Sequence, residues 1–179
     1  MTADEVDAFL TSDRPPMLLK LATVNAESWP VIVPLWYLWR GGAFWLVGRR
    51  RSEWVEDLER DARCAVCVEE PAHPRIRKVL AQCTAEIVEG PCEAAGSAWL
   101  EVANEMARRY LGSTGPDQLR PTHGWERYLV KLSLRAGRLR TWQGSSWARR
   151  YLEADEGAAN GGPDQAGPPS LARTSRRGT

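Results

Sequence analysis

The chain has 179 residues, 43% of them apolar, with 24 basic against 23 acidic side chains and a net charge of +1. That length and apolar share suit one globular domain with a real core, and so balanced a charge argues against a dedicated nucleic-acid binder. No apolar run reaches the roughly 18 residues of a membrane span, and the acidic start MTADEVDAFL lacks the basic and apolar segments of a signal peptide, so a cytoplasmic protein is expected.

Thr2 and Glu5 have capping-box spacing, and Val6, Phe9 and Leu10 follow at helical intervals, which predicts a short amphipathic helix ended by DRPP at 13–16. MLLKLATV at 17–24 reads as the first strand and NAES at 25–28 as its turn. In PVIVPLW, Val31, Val33 and Leu35 alternate with Ile32, Pro34 and Trp36, so nearly every position is apolar, the pattern of a strand buried on both faces. Arg40-Gly41-Gly42 supplies a tight turn, because glycine takes positive φ without strain. Residues 43–47 return as a strand.

Gly48 breaks that strand, and Arg49, Arg50 and Arg51 arrive just before Ser52, a good N-cap for a helix over 53–60 with Trp54, Val55 and Leu58 on one face. A helix start presents unpaired N–H groups and partial positive charge. Three guanidiniums beside it make a site suited to a phosphate. Trp36, Trp45 and Trp54 are close in sequence and offer flat faces to a planar ring. Together these features fit a phosphorylated planar cofactor such as a flavin.

RCAVCVE at 63–69 reads as a strand, 71–74 as a loop whose two prolines prevent pairing, and 76–89 as a long strand stopped by Gly90-Pro91. From Val79 on, Ala81, Cys83, Ala85 and Ile87 share one face, and Gln82, Thr84 and Glu86 the other. A helix over 96–111 carries Trp99, Val102, Ala103, Met106 and Tyr110 at helical spacing, with Gly112 ready as its C′ residue. A polar loop runs to Gly124, and two last strands at 127–134 and 138–143 are turned by Arg135-Ala136-Gly137. From Glu153 the composition turns to Gly, Pro, Ala, Ser and charge, so the organisation expected is a domain over 1–152 and a disordered tail over 153–179. Six or seven strands with a few helices point to a barrel rather than a doubly wound sheet.

The order PVIVPLWYLW, AFWLV and RRRSEWVEDLERDARCAVCVEE, ending in RRYLG and TWQGSSWARRY, resembles the split β-barrel proteins related to pyridoxamine 5'-phosphate oxidase, nearest their flavin- and deazaflavin-dependent branch. The likeness covers roughly 18–151. It implies a mainly β, six-stranded split β-barrel, usually a homodimer with FMN or coenzyme F-420 at the interface. It implies that Val31, Val33, Pro34, Trp45 and Val47 flank the ring and ribityl chain, and that Gln82 offers the ring a polar contact. Trp142 and Trp147 match a C-terminal segment that reaches toward the partner's site. Many relatives carry a lysine near the place of Trp54, a departure that means either that Arg49, Arg50 and Arg51, with Ser52, do the lysine's job or that the cofactor is not FMN.

Cys64 and Cys67 form a CxxC, but positions three apart in a strand face opposite ways and cannot share a metal. His73 and His123 are isolated, and no HExxH, GxSxG, GxGxxG or Walker-type run is present. Few acid–base pairs suit chemistry carried by a cofactor. The expectation is an oxidoreductase that passes a hydride between FMN or coenzyme F-420 and a small apolar or aromatic substrate, with no nucleic-acid or membrane partner. The alternative is a non-catalytic flavin, haem or tetrapyrrole binder on the same barrel. True pyridoxamine phosphate oxidation is disfavoured, because no Arg/Lys-rich C-terminal substrate segment is recognisable.

Overall fold

The computed structural model describes residues 1–13, 16–70 and 76–144; the loop at 71–74, Trp147 and the tail from 153 lie outside them. Helix α1 (Ala3–Thr11) begins with the expected capping box: Glu5 N–H donates to Thr2 Oγ1 and Thr2 N–H to Glu5 Oε2. Strands β1 (Leu19–Val24) and β2 (Pro30–Leu35) form a hairpin, followed by β3 (Leu38–Arg40) and β4 (Ala43–Arg49). Helix α2 (Glu53–Arg60) leads into β5 (Arg63–Glu70) and β6 (Arg77–Cys92). Helix α3 (Ala98–Leu111), the short α4 (Gly115–Leu119) and a 3-10 turn (Arg120–Thr122) precede β7 (Arg127–Gln143).

All seven strands lie in one antiparallel sheet of order β2-β1-β5-β6-β7-β4-β3. Its two edge strands, β2 and β3, are joined by Trp36 and Tyr37 alone. Two residues bridge only about 11 Å, so the sheet must curl until its edges nearly meet. Its ladder nevertheless stays open there. This is a barrel split at one seam, with seven strands, within the six or seven counted from the sequence and one more than the resemblance implies.

Three expectations are corrected. Residues 31–36 are not one strand buried on both faces: β2 is an edge strand, with Ile32 69% exposed. Pro30 and Pro34 lack an N–H and are tolerated because the edge leaves one side of the strand unpaired. Gly90-Pro91 does not stop β6, which runs on to Cys92. The two predicted C-terminal strands are one line along β6, with Leu134 opposite Cys83 and Leu139 opposite Ala81. The residues between bulge outward, with Gly137 at φ 70°, instead of turning the chain.

Inside the barrel Leu19, Leu21, Phe44, Leu46, Val66 and Val130 pack with Phe9 and Leu10 of α1 and Val55 and Leu58 of α2. A second cluster lies outside β4 and β7, where Trp99, Val102, Ala103 and Met106 of α3 cover Leu38 and Leu129. Alternation sorts the strands between the two clusters. Phe44 and Leu46 face the barrel core, while Trp45 and Val47 face α3.

Candidate functional site

The corner between β4 and α2 is held by its own backbone. Ser52 N–H donates to Arg49 O at 2.9 Å, and Arg49 N–H donates to Ser52 Oγ at 3.1 Å. Ser52 is the N-cap residue as expected, but its hydroxyl serves this turn and caps no helical N–H. Gly48 lets the corner form: a Cβ there would lie 2.5 Å from Val55 Cγ2 and 2.9 Å from the Trp54 ring.

Arg49, Arg50, Arg51 and Ser52, with Trp125 and Glu126, line an open hollow of about 940 Å³. The three arginines differ. Arg50 pairs with the Glu126 carboxylate and also donates its backbone N–H to Glu126 O at 3.0 Å. Arg49 lies over the Trp125 ring, 5.4 Å from its centroid. Arg51 makes no ion pair among the described residues and is exposed.

A smaller cavity of about 410 Å³ adjoins this hollow and shares Arg49 as a wall. Pro34, Leu35 and Trp36 come from the seam, Val47 from β4, Met106 from α3, and Gln118, Leu119 and Thr122 from the segment after α3. Trp36 is fixed by a parallel stack on Tyr110, with ring centroids 4.9 Å apart. Among the described residues no carboxylate lines the cavity.

Arg127 also lines it, and the sequence reading passed Arg127 over as an ordinary strand residue. It is only 9% exposed and stands directly opposite Arg49 in the β4–β7 ladder. One Nη donates to Thr122 Oγ1 at 2.6 Å, and that hydroxyl in turn donates to Leu119 O at 2.8 Å. The guanidinium lies over Trp99, and its Nε is buried with no partner. Burial first, then repulsion from Arg49, lowers its pKa from the usual arginine value. Like charges directly opposite in a ladder destabilise it, and buried charges are ordinarily paired. Among the described residues no anion partners this guanidinium.

A family model described as pyridoxamine 5'-phosphate oxidase matches residues 2–133, most of the chain. The chain belongs to the pyridoxamine 5'-phosphate oxidase family. No curated protein matches the sequence. Among solved structures, the conserved hypothetical protein Rv2991 from Mycobacterium tuberculosis is 26% identical with a TM-score of 0.65, over 96% of this chain and 95% of that one. An F420 reductase is 21% identical with a TM-score of 0.54, over 74% of this chain and 94% of that one. HutZ, the haem storage protein from Vibrio cholerae, is 18% identical with a TM-score of 0.56, over 80% of this chain and 94% of that one. The last two likenesses are of fold.

Within this family member, Pro34, Trp36, Val47 and Arg49 meet around the inner cavity, and Arg49, Arg50, Arg51 and Ser52 around the outer hollow. The other residues singled out from the sequence stand elsewhere. Trp54 is buried in the barrel core against Gly48. Trp45 faces the α3 cluster beneath Lys131, and its indole N–H donates to Arg40 O at 3.2 Å. Val33 packs against the core, and Val31 is exposed on β2. Gln82 lies on the outer face of β6, in a hollow with Arg63, Thr84 and Arg135. Trp142 sits opposite Lys78, at the far end of the 17-residue β7 from Arg127. A single chain therefore does not bring Gln82 or Trp142 to the arginine corner.

The CxxC behaves as a strand requires: Cys64 is buried in the core, whereas Cys67 on the other face is half-buried. Burial raises the Cys67 thiol pKa above its usual value. Among the described residues no group of three or more His, Cys, Asp or Glu side chains could hold a metal, and no helix is long and apolar enough to cross a membrane.

Proposed function

We propose that this protein is an oxidoreductase that binds a flavin-type cofactor, FMN or coenzyme F-420, and passes a hydride between it and a small apolar or aromatic substrate. One observation carries the reading. Arg49 is at once a wall of an arginine-rich outer hollow and of an apolar, indole-walled inner cavity. That is the shape for an anionic tail joined to a planar ring.

The residues present fit such a group, because the corner offers cations and the inner cavity opposes them with no carboxylate. Bound there, the cofactor would supply the redox chemistry, and the protein supplies position and charge. Arg51 and Arg49 would take the tail's anionic oxygens, while the Arg49–Ser52 turn fixes where those guanidiniums start. Trp36, immobilised on Tyr110, gives the ring a flat wall. Gln118 and Leu119 of α4 and Thr122 of the 3-10 turn form one wall of the cavity.

The reading includes a homodimer. Trp29, just before β2, and Ile32 on it are 67% and 69% exposed, apolar surface of the kind a partner covers. A second subunit would cover it and provide the setting in which Gln82 and Trp142 serve a cofactor. The alternative, a haem or tetrapyrrole carrier, needs an axial ligand, and among the described residues lining the two hollows Met106 is the one candidate; His123 lines a separate groove.

Titrating the purified protein with FMN and with coenzyme F-420, followed by fluorescence, tests the reading. Saturable quenching by one of them supports it, and hydride consumption with a panel of aromatic acceptors then separates an enzyme from a carrier. Haem binding with neither cofactor retained would replace it.

A further inference from the structure

The inner cavity has a feature that the cofactor's tail does not use. Pro34, Trp36, Val47 and Met106 give it apolar surface, Arg49, Gln118 and Thr122 give it polar surface, and one side is closed by a buried guanidinium. Arg127 meets a single hydroxyl, that of Thr122, and the Thr122 proton is already committed to Leu119 O. The other charge nearby is the cation Arg49, directly across the ladder. With its Nε–H buried and unpartnered, Arg127 has an unused edge of its planar fork. Such an edge matches the two oxygens of a carboxylate. A phosphate dianion finds more donors at the exposed corner, where Arg49, Arg50 and Arg51 gather.

We infer that the substrate taken into the inner cavity is a flat, apolar molecule bearing one carboxylate, and that Arg127 is the residue that selects it by pairing with that group. The inference names the substrate class of the site assigned above and so rests on that assignment. Thr122 orients the fork, Met106 and Leu119 offer apolar surface beside it, and Gln118 adds a polar group to the lining. A neutral analogue of the same shape leaves the Arg127 edge unpaired in an apolar place. Rejecting such analogues is what a buried unsatisfied donor does best.

The test is calorimetric titration of the full-length protein with three probes: benzoate, its neutral isostere benzamide, and inorganic phosphate. Benzoate is expected to bind about tenfold or more tighter than benzamide. Arg127→Met should erase that preference, and Arg127→Lys, which keeps the charge without the fork, should keep part of it. Equal binding of benzoate and benzamide by the unmodified protein overturns the inference even if an Arg127 variant fails to fold. Phosphate displacing benzoate at equal concentration overturns it too, because Arg127 then belongs to the cofactor's tail. FMN and coenzyme F-420 are titrated into the same preparation. Benzoate selectivity without cofactor binding would sink the redox assignment alone, and cofactor binding without benzoate selectivity would sink this inference alone.

Discussion

Arg49 and Arg127 face each other across a β-ladder with no carboxylate between them, and folding alone gives no reason for that pairing. It follows that Arg127 reduces the stability of the ligand-free protein. Arg127→Met, which fills a similar volume without charge, should raise the free energy of unfolding in urea by about 1 kcal/mol or more; a large loss of stability would mean that the guanidinium is a structural strut. Arg109 is such a strut. It donates to Leu10 O and Ser12 O at 2.9 Å and to the Tyr37 hydroxyl at 3.3 Å, tying α3 to the end of α1. Burial pushes the Tyr37 phenol up to about 12. The folded chain keeps that proton while the unfolded chain releases it near pH 10, so stability falls as pH rises between those values, by up to about 3 kcal/mol at the limit. Tyr37→Phe should flatten this alkaline decline in denaturation curves; an unchanged slope would place the loss elsewhere. At this scale the sequence showed what was contiguous. Arg49, Arg50 and Arg51 stand out as a run, whereas Arg127 is a lone arginine whose meaning comes from a partner across the sheet.

Helix α2 was legible to its ends, because Ser52, the first-turn acids and the Trp54, Val55, Leu58 face agree on one answer. Helix α3 was equally clear from the spacing of Trp99, Val102, Ala103 and Met106. One wall of the inner cavity was not. Helix α4 has five residues and the 3-10 turn three, too short for any periodicity to declare them. They form because Gly115 lets the chain come against Ala107, where a Cβ would lie 2.2 Å from its carbonyl oxygen. Gly48 has the same role at the corner. Gly48→Ala must push α2 off β4, so it should cost about 1–3 kcal/mol in denaturant unfolding and weaken cofactor binding along with it. A variant as stable as the parent would show that the corner can relax without moving α2. The apolar run of β2 misled for a definable reason. A strand paired on one side with β1 and on the other with no described strand reads, residue by residue, like one buried in a sheet.

For the whole molecule, topology decides what the chain can do alone. The order of strands puts the arginine corner near the seam and leaves Gln82 and Trp142 on other parts of the sheet. The fold class was readable, since strand count and alternation demand a closed or nearly closed β-structure, but which edges meet follows only from the two-residue link between β2 and β3. The exposed Trp29 and Ile32 belong to the same scale. Analytical ultracentrifugation should show a dimer that Ile32→Lys converts to monomer; a monomer in the unmodified protein would remove the second subunit from the account. The central claim is that guanidiniums at one strand-to-helix corner anchor an anionic cofactor whose ring enters the adjoining cavity. The most direct measurement is the affinity of the protein and of its Arg49→Ala/Arg51→Ala variant for FMN and for coenzyme F-420, read by fluorescence quenching. The account predicts saturable binding of at least one cofactor and a loss of about a hundredfold in the variant. An unchanged affinity in the variant, or no binding of either cofactor by the parent, would contradict it.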